Sequence, residues 1–294
     1  MSRFRMTKLT LLGACLLATG NTVHAQTASS AWHFDETSGS TAFDAVGSVN
    51  GSLTGNASFT AGGISGNAMN SGTTGFADMG NNFAFGGNST FSLVAWVKMT
   101  SADANGYIPA GRHQATVNAG YFLGVNNTGS ASGEVTGGGI FYQAFPNAVS
   151  VNLGVNDGNW HQLVGVHDFA ANQTKLYIDG VLRDTRTFTA FTASNANFAV
   201  AGILNSAGNQ MFHDYTGLVD EVSIWNSPLS ASAVTYLFNN PGATAIPEPA
   251  TWLLIGGASL AGIRFLRRKR CKRVRANAYR TKRHTMPAQG AFVS

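Results

Sequence analysis

The chain has 294 residues, of which 44% are apolar, 35 are glycine and only 11% are charged, which excludes an intrinsically disordered chain and fits a globular, turn-rich one. Its formal charge of +5 is confined to the ends: three of 19 basic residues precede residue 10, eleven lie from Arg264 onward, and thirteen of 14 acids fall between Asp35 and Glu221. The body therefore holds five bases against thirteen acids, and nucleic acid is excluded as its partner for want of a basic face.

Residues 1–25 read as a signal peptide. Arg3, Arg5 and Lys8 precede an apolar run from Leu9 to Ala18, and Val23-His24-Ala25 puts small side chains where a signal peptidase reads them, so cleavage falls between Ala25 and Gln26. The competing reading is lipidation of Cys15 in Leu12-Gly13-Ala14-Cys15. Its apolar stretch is about six residues, short of the roughly 7 to 15 that an export signal uses. Cys15 and Cys271 both lie in the end segments, so the body has no disulfide, zinc thiolate or thiol nucleophile, and its stability must come from burial between packed layers.

From residue 26 to 241 helical periodicity is nearly absent. Short alternating runs separated by Gly, Asn, Ser and Asp predict strands, and many such strands predict an all-β sandwich or jelly roll. In the run 91–99, Phe91, Leu93, Ala95, Val97 and Met99 share one face, and Ser92, Val94, Trp96 and Lys98 share the other. Further runs are Tyr121 to Val125, Gly139 to Gln143, Trp160 to Phe169, Lys175 to Asp179, Asn197 to Leu204 and Gly217 to Trp225. Asp179-Gly180 between two runs predicts a type I′ hairpin, which needs positive φ at both central residues. His161 and His167 share a strand face but stand about 20 Å apart, too far to share a metal. Ser230 is placed to cap a short helix over 231–238 that Pro241-Gly242 ends.

Three segments carry a family resemblance. Residues 157–180, with an Asp-Gly turn leading into Trp160-His161 and a Leu-Tyr-Ile-Asp-Gly hairpin, resemble the laminin G and pentraxin-like pattern. Residues 217–238 resemble its closing strand, with the Asp220-Glu221 pair and a short helix, and residues 32–55 resemble its opening segment. The resemblance implies a concanavalin A-like jelly-roll β-sandwich over residues 26–241, a fold that hosts lectin-type binding modules and glycoside hydrolases alike.

The end of the chain contains Pro247-Glu248-Pro249, an apolar stretch from Thr251 to Leu266 and the cluster Arg267-Arg268-Lys269-Arg270. Residues 242–270 resemble a PEP-CTERM sorting signal of Gram-negative bacteria. The two prolines favour an extended segment that a processing enzyme can grip, and the arginines keep the far end of a short membrane helix on the cytoplasmic side. The resemblance implies transient anchoring in the inner membrane, cleavage by an exosortase and delivery to the cell surface or extracellular matrix. Arg264 interrupts the apolar run, and a basic tail over 271–294 follows the cluster, both departures from the usual pattern.

Candidate chemistry in the body is sparse. A retaining or inverting glycosidase needs two carboxylates about 5 to 9.5 Å apart. The close pairs, Asp35-Glu36 and Asp220-Glu221, are adjacent in sequence and point to opposite strand faces, and the only glutamates of the body are Glu36, Glu134 and Glu221. No catalytic residue is assigned. The resemblance implies a structural calcium held by Asp220 with Asp35 or Asp44, hard oxygen donors suited to that ion. The alternative is that Asp220-Glu221 faces solvent or pairs with Arg183 or Arg186. Candidate stacking platforms for a carbohydrate, exopolysaccharide or protein ligand are Tyr107, Tyr142 and Tyr215, with Phe141 and Phe145, while Trp96, Trp160 and Trp225 are expected to fill the core. The reading is a non-catalytic, exported surface protein; the alternatives are a structural protein without a specific ligand and a glycoside hydrolase.

Overall fold

The computed structural model describes residues 25–99, 107–114, 119–126, 139–144, 147–188, 190–212 and 215–247. The chain runs through β1 (Gln26–Thr27), β2 (Ser30–Trp32), β3 (Thr41–Ala42), β4 (Gly51–Thr54), β5 (Ser58–Ala61), β6 (Asn67–Asn70), β7 (Phe76–Asp78) and β8 (Phe91–Lys98). It continues through β9 (Tyr107–Gln114), β10 (Ala119–Asn126), β11 (Gly139–Ala144), β12 (Asn147–Val151), β13 (Trp160–Asp168), β14 (Gln173–Ile178) and β15 (Val181–Thr187). Then come β16 (Ala199–Val200), β17 (Ile203–Leu204), β18 (Gln210–Phe212), β19 (Leu218–Trp225), α1 (Ala231–Asn239) and β20 (Ala245–Ile246).

Two antiparallel sheets face each other. One has the order β12-β11-β10-β9-β16-β7-β4-β3, the other β15-β14-β13-β8-β19-β6-β5 with β2 also paired to β19. Alternation along β8 decides which residues lie between them. Phe91, Leu93, Ala95 and Val97, with Met99, join the core cluster between the sheets together with Trp32, Phe34, Tyr121, Leu123, Phe198, Val222 and Ile224. The opposite face of β8 is covered as well: Val94 packs with Leu229, Val234, Leu237 and Ile246, and Trp96 stacks on Phe238 of α1 with ring centroids 5.6 Å apart. Burial on both faces makes β8 nearly continuously apolar, and α1 is the lid that makes it so.

Local chemistry explains the joints. Asp179 and Gly180 both adopt positive φ, 53° and 75°, the hairpin geometry that their residue types favour. Ser230 accepts the N–H of Ala233 at 3.2 Å and caps α1. The run Asn197 to Leu204 is not one strand. Ala201 at φ 65° breaks it into β16 and β17, and β17 leaves the sheet to form a ribbon with β18.

The compact body runs from Gln26 to Ile246, five residues beyond the end expected at 241. Residues 242–246 remain with the body because β20 pairs with β1 and Ile246 is buried against the α1 cluster. Among the described residues no helix is long and apolar enough to cross a membrane. The expected anchor over 251–266 lies outside the described residues, as do Glu248 and Pro249.

Candidate functional site

A polar basin opens where β4 and β7 lie side by side. Ser52 and Asp78 are register partners on these strands, and Ala77 of β7 and Met79 just after it both lie in the core, so Asp78 between them projects from the outer face. Ser48, Asn50, Ser52, Asp78, Gly80 and Asn82 line an open concavity of about 460 Å³, a size suited to a small-molecule ligand.

The framework of the basin is fixed from behind. Asp78 accepts both of its contacts from Asn197 Nδ2 at 3.0 Å and also accepts the Gly80 N–H at 2.8 Å. Asn82 donates Nδ2 to the Met79 carbonyl at 2.7 Å. The Asn82 carbonyl in turn receives Arg112 Nη1 at 2.5 Å, and Arg112 Nη2 donates to Asn81 Oδ1. Arg112 is buried, and its Nε and Nη2 both donate to the Ser194 carbonyl, at 3.0 and 2.7 Å. This guanidinium thus straps the 80–82 turn to the 194 turn through oxygen acceptors alone, and burial lowers its pKa from the ordinary value. On the other rim, Trp32 Nε1 donates to the Val49 carbonyl at 2.8 Å, and Asn50 Oδ1 accepts the Asp44 N–H at 3.0 Å. Val49 and Met79 complete the lining, so the basin presents hydroxyl, amide and carboxylate groups beside two apolar residues.

A second polar cluster lies inside β19. This strand is paired to β6 through Leu218 and Val219 and to β2 through Val222, Ser223 and Ile224, with a register shift against β8 between Asp220 and Ser223. Glu221 sits at φ 48° in that bulge. Where one neighbour stops and the other begins, backbone N–H groups lose their ladder, and carboxylates replace it. Asp220 accepts the N–H groups of Ile64, Ser65 and Glu221 at 2.8, 3.3 and 2.8 Å, and Asp35 accepts that of Asn67 at 2.8 Å. The turn from β5 to β6 is therefore clasped by two carboxylates. Gly66, at φ 69°, allows the approach: a Cβ there would lie 2.0 Å from Asp35 Oδ1. Burial, then the neighbouring Glu221, raises the Asp220 pKa from 3.8 to about 8. Burial likewise raises that of Glu221, whose Oε2 lies 2.5 Å from His33 Nδ1.

The profile of the concanavalin A-like lectin/glucanases superfamily matches residues 70–235, and that of the PEP-CTERM protein-sorting motif matches residues 245–270. The chain belongs to the concanavalin A-like lectin/glucanases superfamily. Domain 4 of AbnA, a GH43 extracellular arabinanase from Geobacillus stearothermophilus solved with arabinotriose, is similar at 21% identity and TM-score 0.55, over 73% of this chain and 99% of that one. The receptor-binding domain of a mosaic C/D botulinum neurotoxin is similar at 12% identity and TM-score 0.50, over 73% of this chain, which spans about half, 51%, of that domain. No curated protein matches in sequence.

Tyr215 is not a ligand platform: it is wholly buried between the sheets and donates its hydroxyl to the Leu218 carbonyl at 3.0 Å. Its turn position suggested access, but the chain folds the ring inward. Tyr107 and Tyr142 belong to β9 and β11, and their side chains, with Phe141 and Phe145, lie outside the described residues. Trp96 and Trp225 are buried as expected, whereas Trp160, also expected in the core, is only half-buried at the start of β13.

Asp35, Asp44 and Asp220 do not form one oxygen cage, and among the described residues no group of three His, Cys, Asp or Glu is placed to hold a metal. Asp44 is committed to its own turn, accepting from Ala31, Val46, Gly47 and Val49 at 2.8 to 3.1 Å. Burial raises its pKa, but these hydrogen bonds together hold it below the ordinary value. The Asp220-Glu221 pair neither faces solvent nor meets Arg183 or Arg186; Glu221 has His33, and Arg186 has Asp184 at 3.0 Å. His161 is held between Asp179 and Asp157 at 2.9 and 3.1 Å, while His167 is buried beside Phe188 and Phe191 and donates or accepts at Thr174 Oγ1, 2.9 Å away.

Sequence reasoning missed the basin. Ser, Asn and Gly between strands read as turn formers, and only the pairing of β4 with β7 shows that those of 48–52 and 78–82 share one hollow. An outward-facing Asp78 two residues before Gly80 was the available signal.

Proposed function

We propose that this chain is an exported surface protein whose jelly-roll body binds a neutral, hydroxyl-rich polysaccharide at the Ser48–Asn82 basin, without catalysis. The observation that carries this reading is the basin itself: about 460 Å³ in volume, lined by hydroxyl, amide and carboxylate groups with Val49 and Met79 between them, on a framework pinned by Asn197, Arg112 and Trp32. Such groups offer the alternating donors and acceptors that sugar hydroxyls require, and a preformed framework spares the ligand the cost of ordering it. Superfamily membership supports a lectin-type role, and a structural relative, domain 4 of AbnA, was solved with arabinotriose. The sorting motif supports export and processing by an exosortase on the way to the envelope of a Gram-negative cell.

Two features favour a neutral ligand and disfavour hydrolysis. The body is net acidic, and the basin's own charge is the carboxylate of Asp78, so an acidic glycan meets repulsion. Glycoside hydrolysis needs two facing carboxyl groups, and the basin lining supplies one.

The test is a glycan array with the body, residues 26–246. Saturable binding to neutral glycans that Asp78→Ala and Asn82→Ala abolish is expected. No binding to any glycan overturns the reading in favour of a structural surface protein, and release of reducing ends overturns the absence of catalysis.

A further inference from the structure

Thr41 of β3 is the register partner of Ser52 in β4, and Ser52 that of Asp78 in β7, so the three form a row across the outer face of their sheet, with β3 at its edge. Ala42 is buried in the core, and alternation turns Phe43, like Thr41, outward onto the face that carries the basin. One step beyond the partners Ala42 and Gly51, Phe43 stands across from Asn50, which lines the basin. Its ring is 59% exposed, the most of any large apolar side chain among the described residues.

The backbone beneath the ring is pinned. The Phe43 N–H donates to Glu36 Oε1 at 2.7 Å and the Asp44 N–H to Asn50 Oδ1 at 3.0 Å, while the Asp44 carboxylate takes the N–H groups of Ala31, Val46, Gly47 and Val49. Ser48, Val49 and Asn50, one wall of the basin, therefore belong to the same fixed turn as Phe43. A ring on a fixed backbone loses little conformational freedom when a ligand packs on it. Thr41, Asn50 and Ser52 around it are polar and exposed, so the ring, with Val46 of the same turn, falls short of the broad apolar patch that a protein partner covers. A flat apolar face bordered by hydroxyl and amide groups matches a sugar ring, whose C–H face stacks on the aromatic while its hydroxyls reach the polar border.

Two strand spacings, about 9 to 10 Å, separate β3 from β7, farther than one sugar ring reaches. We propose that Phe43 is the stacking platform of a second subsite, so that the site reads two or more consecutive units of a neutral polysaccharide, one in the basin and the next against this ring. The inference rests on the reading of the basin as a glycan site.

The experiment measures, by titration calorimetry, the affinity of the full chain, purified in a detergent without a sugar headgroup, for gluco-, xylo- and galacto-oligosaccharides of one to four units. In the series that binds, affinity is expected to rise about tenfold from one unit to two. Phe43→Ala is expected to erase that rise, Phe43→Tyr to keep it, and Asp78→Ala to weaken every length. If Phe43→Ala retains the rise, or weakens one unit and longer chains alike, the second subsite is overturned while the basin reading stands. Self-association of the wild-type chain that Phe43→Ala abolishes, with the length series unchanged, assigns the ring to a protein contact and also overturns the subsite. Binding by none of the three series overturns the basin reading and the subsite with it.

Discussion

Nδ1 of His33 lies 2.5 Å from Oε2 of Glu221, across the step at which β19 exchanges β6 for β2. His33 follows Trp32, whose register partner is Val222, so the pair is the next rung of a ladder that the bulge at Glu221 has opened. The hydrogen bond to Glu221 raises the His33 pKa above its ordinary 6.5 against the opposing effect of burial.

Stability should therefore fall as pH rises from 6.5 to about 8. The raised groups His33, Glu221 and Asp220 bind protons in the fold that the unfolded chain has released, and that advantage is lost as pH passes through their folded values. His167 opposes them at lower pH. Burial holds it down to about 4, so below 6.5 the unfolded chain takes a proton that the fold refuses. A Tm that drops between pH 6.5 and 8 and levels off below is the expected profile. Asp220→Asn is expected to be less stable throughout, since an amide group then faces backbone N–H donors, and to lose most of that drop.

Chelation is expected to leave the Tm of the purified body unchanged. Asp35 and Asp220 are occupied by backbone N–H groups of the β5–β6 turn and Asp44 by those of its own turn, and among the described residues no three such side chains gather around one point. A fall in Tm on adding a chelator at pH 7, reversed by calcium, would return these residues to the metal-binding role that the resemblance implied.

Arg112→Lys should lower stability by about 1 to 3 kcal/mol and weaken glycan binding together. An ammonium group cannot reach Ser194, Asn82 and Asn81 with the planar fork that a guanidinium presents, and a buried carbonyl is left unsatisfied. Denaturant melts and binding isotherms on the same variant check both halves. An unchanged affinity would show that the strap does not support the basin.

Trp32→Ala is expected to cost about 3 to 5 kcal/mol. The ring stacks on Phe198 at 5.8 Å and meets Phe83 edge-on at 5.9 Å, and its Nε1 ties down Val49 on the rim of the basin. For a domain of this size that cost corresponds to a fall in Tm of roughly 2 to 4 °C per kcal/mol, measurable by calorimetry.

Much of this architecture was legible residue by residue. The alternation of 91–99 assigned both faces of β8 correctly, Asp179-Gly180 announced its hairpin, and Ser230 its cap, because each signal is local: side-chain period, turn φ and one capping bond. Signals that depend on distant partners were not. Tyr215 looked like an exposed turn residue, and His33 carried no mark of its tie to Glu221, because sequence spacing does not say which strand a turn returns to.

By itself the sequence determined the class of fold, the acidic body free of cysteine and the sorting motif over 245–270, since composition, periodicity and short motifs act through nearest neighbours. Only the tertiary structure decided that Ser52 and Asp78 share a hollow, that Asp35 and Asp220 clasp one turn and that Gln26 lies beside Ile246. Each of these is a cross-strand relationship, set by register between segments far apart in the chain, and register is chosen by burying both sheets against each other at once.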